Sequence, residues 1–269
     1  MIGICTDSNS QLPQSLAERY GVEVVPVTVT VNDHDYLEGV DLDADEFYEM
    51  LASEPPPRVS TSQPSPGQFA VAYDALLHRG CDEILSIHVT AATSGTLNAA
   101  RLAARLLPIP VRLVDSGTAG FGISCCVWAA GEAIAGGAKI DEAVQVAESL
   151  TPHIGAVFVV GQLNFIRTGD ELLGVPVMTL HEGLVNVVSR VSSIGEAVDA
   201  MAQKATSWGT RLNVAIGTAD RTGEGVTEAL ADAVATSPNG LEVVRYRIGP
   251  SVGVYAGLGT VGCFMFPAA

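Results

Sequence analysis

Apolar runs and helical spacings alternate along the first half of the chain. Ile2–Thr6 reads as a buried strand, Pro13–Tyr20 as a helix, Val24–Val31 as a strand and Ala44–Ala52 as a helix. After the break at Glu54-Pro55-Pro56-Pro57 the alternation resumes with Gly67–Arg79 (helix), Glu83–His88 (strand), Gly95–Leu107 (helix) and Val111–Val114 (strand), then helical material to about Thr151. Repeated βα units of this kind predict a largely parallel, doubly wound sheet. A second series follows, with strands near Gly155–Val160, Val175–Leu180, Leu184–Ser189, Asn213–Gly217, Glu242–Ile248 and Thr260–Phe266, and helices near Gly195–Trp208 and Gly223–Ala235. Leu180–Leu184 reads as a hairpin turn, so this half is expected to carry a mixed sheet. The fold class is therefore α/β in two domains, 1–153 with a Rossmann-like, mostly parallel sheet and 154–269 with a mixed one.

Composition narrows the partners. With 48% hydrophobic and 16% charged residues among 269, the chain can bury a sizeable core. A net charge of −16 argues against a nucleic-acid partner or an anionic bilayer, which are gripped by Lys and Arg. The longest uncharged apolar run, Gly117–Gly131, is too short to span a membrane and reads as a buried segment. The five cysteines form no C-x-x-C pair and the N-terminus reads as a strand, which points to a reducing cytoplasm. His88, His153 and His181 lack metal-ligand spacing, and no nucleophile elbow, Walker loop or dinucleotide fingerprint follows a strand, so neither a metal, a cofactor nor a catalytic residue is expected.

The chemistry-bearing residues gather at predicted strand ends. Ile2–Thr6 runs into Asp7-Ser8, Glu83–Ile87 into His88, and Val111–Val114 into Asp115-Ser116. In open α/β sheets ligands sit at such carboxyl ends, although Asp and Ser there also make turns and caps. In Val59–Gln68, Ser65 is a ready N-cap with Pro66 at the first helical position and Gln68 closing a capping box, so structure explains it. Thr61 and Ser62 precede the cap and are available to a ligand. Thr93-Ser94-Gly95-Thr96 opens the next helix; Gly95 permits close approach and the helix end suits an anion, while Ser94 or Thr93 serves equally well as an N-cap.

Thr6–Pro13, Thr61–Phe69, Ser94-Gly95-Thr96 and Val114-Asp115-Ser116, together with the weaker Ile248–Gly253, resemble in order and spacing the motifs of the DegV family. The resemblance implies a protein that buries a long-chain fatty acid such as palmitate between two α/β domains, without catalysis of its own. It further implies a carboxylate held by Thr61 and Ser94, with Ser62, Thr93, Gly95, Asp115, Ser116 and Tyr255 around the head group. Where a fatty acid kinase is the partner, the carboxylate is presented for acyl-phosphate formation.

Two departures bear on this. Tyr255 stands where the family usually carries a His, and a phenol donates a hydrogen bond without the positive charge available to an imidazole. Gly169-Asp170-Glu171 runs almost directly into Val175-Pro176 where basic residues are usual, leaving Arg167 nearby. The alternatives are a lipid-sensing regulatory protein with no kinase partner, which the acidic stretch favours, and an acyl- or phosphoryl-transfer enzyme using Asp7, Asp115 and the hydroxyls.

Overall fold

The computed structural model describes residues 1–160, 174–181, 184–236 and 240–268. They divide into two compact units: Met1–Asp43 with Pro57–Thr151, and Ala44–Pro56 with Pro152–Ala268.

In the first unit, β1 (Ile2–Asp7), β2 (Val22–Val25), β6 (Glu83–His88) and β7 (Val111–Asp115) form a parallel sheet in the order β2-β1-β6-β7. Strands β1 and β6 lie inside the sheet, and five of the six residues of each are buried, as continuous apolar runs require when both faces are covered. Helices α3 (Pro66–His78) and α4 (Thr96–Ala104) cover one face. Helices α5 (Phe121–Ala135) and α6 (Ile140–Leu150) pack together on β1, β6 and β7, with α1 (Gln14–Tyr20) against α5. This is the doubly wound arrangement expected. All of Phe121–Gly131 is buried, with Trp128 at 0% exposure, so most of the long apolar run is core, while Gly117 and Ala119 at its start are exposed. No described helix is long and apolar enough to cross a membrane.

The segment expected as one strand, Val24–Val31, is two. Pro26, which lacks an N–H to continue a ladder, separates β2 from β3 (Thr28–Val31). Strand β3 instead centres a second, antiparallel sheet between β4 (His34–Leu37) and β5 (Val59–Ser62), neither of which was expected. Asn32 and Asp33, both at positive φ (48° and 67°), make the two-residue turn between β3 and β4. The helical material expected up to Thr151 breaks into α5 and α6 at Gly136-Gly137, where Gly137 has φ 96°.

The second unit has one six-stranded sheet, β10-β9-β8-β13-β11-β12, of β8 (Gly155–Val159), β9 (Val175–His181), β10 (Leu184–Val191), β11 (Leu212–Thr218), β12 (Gly240–Arg247) and β13 (Val261–Pro267). It is mixed, as expected: β11 and β12 pair in parallel across α8 (Glu224–Ala235), and the other pairings are antiparallel. The β9–β10 pairing brings Leu184 opposite His181, while the turn residues Glu182 and Gly183 lie outside the described residues. Helices α7 (Ile194–Thr206) and α8 pack on each other and on the sheet, around Val157, Met201, Val214, Leu230 and Cys263. The short helix α9 (Pro250–Ala256), not expected from the sequence, packs against α2 (Ala44–Leu51); a Cβ on Gly253 would lie 2.8 Å from Phe47 Cε1. Arg247, at the end of β12, donates to Asp45 of α2.

Candidate functional site

Strand β6 lies between β1 and β7, and the register sets His88 beside Asp115 and Ile87 beside Thr6, so all three strands end at one level. The residues that follow β6, Val89 to Gly95, therefore emerge between two strand ends that both finish in Asp. Val89 N–H donates to Asp7 Oδ2 (3.3 Å), Thr90 N–H to Thr118 O (3.0 Å) and Ala91 N–H to Asp115 Oδ2 (3.1 Å). The loop then closes on itself, with Thr93 and Ser94 N–H both donating to Thr90 O at 3.2 Å.

Helix α4 begins two residues after Ser94, at Thr96. Its N-cap is Gly95, which has no side chain to cap with, so neither Ser94 nor Thr93 fills that position. Ser94 Oγ, half-buried, accepts the Thr96 N–H at 3.3 Å and lies 2.8 Å from Thr96 Oγ1. Either hydroxyl can donate in this contact; when Thr96 donates, Ser94 keeps its own proton for another acceptor.

Thr61 sits on β5 opposite Val29 of β3. Along β5, Val59 and Thr61 are half-buried and Ser60 and Ser62 exposed; strand alternation puts Thr61 and Ser62 on opposite faces. Just beyond, Gln63 lies over Gly95, where an added Cβ would fall 2.0 Å from Gln63 Oε1. The segment carrying Thr61 is thereby laid against the start of α4. Ser65 behaves as expected: its hydroxyl accepts Gln68 N–H (3.3 Å), its N–H donates to Gln68 Oε1 (2.8 Å) and Pro66 opens α3. It is spent on the cap.

Behind the loop runs a buried polar chain that sequence reasoning missed. Asp7 Oδ2 lies 2.9 Å from His88 Nδ1, His88 Nε2 lies 2.6 Å from Ser86 Oγ, and Ser86 Oγ lies 2.9 Å from Tyr73 Oη, with all four residues at 0% exposure. Because both Asp7 oxygens also accept backbone amides (Asn9 and Val89), the Nδ1 proton points at Asp7, and Nε2 can take the Ser86 proton. The connectivity is that of a Ser-His-Asp triad, but Ser86 is mid-strand and sealed, with Phe69 edge-on to the His88 ring at 5.0 Å. Burial pushes the Tyr73 phenol and the neighbouring Cys5 thiol upward, so both stay protonated at neutral pH. Period-two spacing puts Ser86 and His88 on one face of β6; only the β1–β6 register brings Asp7 to them.

The other expected head-group residues fall as follows. Asp115 spends Oδ1 on Gly117 N–H (2.9 Å) and Oδ2 on Ala91 N–H. Ser116 is fully buried; its N–H donates to His88 O (3.1 Å) and its hydroxyl to Thr118 O (3.3 Å). Thr93 is exposed, its hydroxyl 3.4 Å from Thr90 O. Tyr255 belongs to the second unit, on α9, with 77% exposure. Arg167 and Gly169-Asp170-Glu171 lie outside the described residues, whereas Val175 opens β9. Among the described residues no three His, Cys, Asp or Glu side chains gather as a metal-holding group.

Two α/β units, the first with hydroxyls placed at a strand end and a helix start, define the class of protein. Residues 1–268 match the family model described as "Uncharacterised protein, DegV family", and the chain belongs to the DegV family. It is 31% identical over 273 residues to a DegV domain-containing protein of Streptomyces coelicolor, covering 97% of this chain and 96% of that one. A DegV domain-containing protein of Deinococcus radiodurans is 36% identical over 200 residues, 74% of this chain and 69% of that one. Among solved structures, a DegV family protein from Thermus thermophilus described as fatty acid binding superposes with a TM-score of 0.83 at 28% identity, covering 99% of both chains.

Proposed function

We propose that this protein binds a long-chain fatty acid whose carboxylate accepts hydrogen bonds from Thr61 and Ser94. The observation that carries the reading is the seating of Gln63 on Gly95, which lays the Thr61 segment against the start of α4 beside Ser94. The described fatty acid binding of the Thermus relative supplies the ligand class. A buried carboxylate is costly unless donors compensate, and two hydroxyls beside a helix N-terminus supply them without a cation. The acyl chain contributes about 0.8 kcal/mol per buried CH₂, so the head group serves chiefly to orient the ligand.

The test is lipid extraction of the purified protein followed by titration with palmitate. Thr61→Ala with Ser94→Ala is expected to weaken binding by about 1.5–3 kcal/mol per lost hydrogen bond. An unchanged dissociation constant in the double variant removes these two residues from the site. The reading extends to presentation of the carboxylate to a fatty acid kinase. Acyl phosphate formed only when kinase, ATP and loaded protein are combined supports that step; none formed points to a lipid-binding protein without that partner.

A further inference from the structure

We propose that Asp7 and Asp115 are positioning residues that staple the Ser94 loop from both sides, and that neither carboxylate contacts the head group. Each ends a strand flanking β6, and each divides its oxygens in the same way. Oδ1 caps its own turn, accepting Asn9 N–H for Asp7 (3.2 Å) and Gly117 N–H for Asp115 (2.9 Å). Oδ2 reaches across to the loop leaving β6, accepting Val89 N–H for Asp7 and Ala91 N–H for Asp115. His88 holds the Asp7 carboxylate from the buried side, and Thr118 O takes the Thr90 amide that lies between the two staples. Three consecutive amides of the loop are thus fixed by groups outside it, and Thr90 O in turn receives the Thr93 and Ser94 amides. The position of the Ser94 hydroxyl follows from this chain of bonds. A hydrogen-bonding group held by such a shell presents one geometry to a ligand and loses little conformational freedom on binding.

The inference rests on the fatty-acid reading for its consequence but not for its mechanism, and Asp115→Ala separates the two. Alanine has no side-chain acceptor, so the Ala91 and Gly117 amides both lose their carboxylate partner. Amide hydrogen exchange of the ligand-free, full-length protein is expected to speed up about tenfold at Ala91 and along Val89 to Ser94, with β1 amides unchanged and the melting temperature moved by less than about 3 °C. The dissociation constant for palmitate is expected to rise about three- to tenfold, mainly through a faster off-rate. Unchanged exchange at Ala91 overturns the staple. Faster exchange with unchanged palmitate affinity overturns the positioning role. A wild-type protein that binds no palmitate sinks the lipid reading, and the exchange data alone then decide the staple.

Discussion

Strands β1 and β7 end alike, in Thr6-Asp7-Ser8 and Val114-Asp115-Ser116, yet burial is inverted between them. At the end of β1 the Asp is fully buried against His88, while Ser8 is half-buried, accepts Val27 N–H at 2.9 Å and donates to Glu38. At the end of β7 the Asp is exposed and the Ser is fully buried. The sheet order explains this: β1 has strands on both sides and β7 is an edge. Both Asp residues do the same backbone work, but one does it in a low dielectric, where an unmet partner is costly, and the other beside water. The lesson is that one local motif can carry equal geometry and very unequal energy.

Substitutions can break that comparison. The largest effect is expected from Asp7→Ala, which leaves His88 and the Val89 amide without the carboxylate in the core, and the half-buried Asn9 amide without its cap, and is expected to cost about 3–5 kcal/mol. Chemical denaturation measures it, and a loss no greater than that of the equivalent Asp115 change would dissolve the contrast. Ser86→Ala, which cuts the link between His88 and Tyr73 while leaving Asp7 in place, is expected to cost about 1–3 kcal/mol. A neutral result there would show that the polar chain is no cooperative network. Asp115→Ala is expected to cost less than about 1 kcal/mol, as for surface positions generally, with its effect confined to the loop after β6 and the turn at Gly117. A drop comparable to that of Asp7→Ala would mean that the edge is as demanding as the interior.

Much of the architecture was legible because buried strands and capped helices leave local marks. Glu83–His88 reads as a strand from its apolar run, and Ser65, Pro66 and Gln68 spell out the start of α3. The same cap accounts for Ser65 and not for Thr61. The three-stranded sheet was not legible. Strands β4 and β5 are short and largely polar, with exposed or half-buried residues throughout, so they lack the apolar signal that marks the interior strands. Pro26 was the one available sign that Val24–Val31 is two strands.

The sequence by itself determined the α/β class, the mixed sheet of the second half, the core character of most of Gly117–Gly131 and the assignment of Ser65, rather than Thr61, to the cap of α3, while it left Ser94 open between cap and ligand. Only the tertiary structure decided that Ala44–Leu51 groups with the second unit, that Gln63 lies on Gly95 and that Asp7 meets His88. Apolar periodicity reports whether a segment is buried, but in a parallel sheet partner choice is set by crossovers many residues long, whose closure leaves no mark at either end. The Ser94 loop shows the result: its residues are readable one by one, and the two carboxylates that hold it lie more than eighty residues before it and more than twenty after.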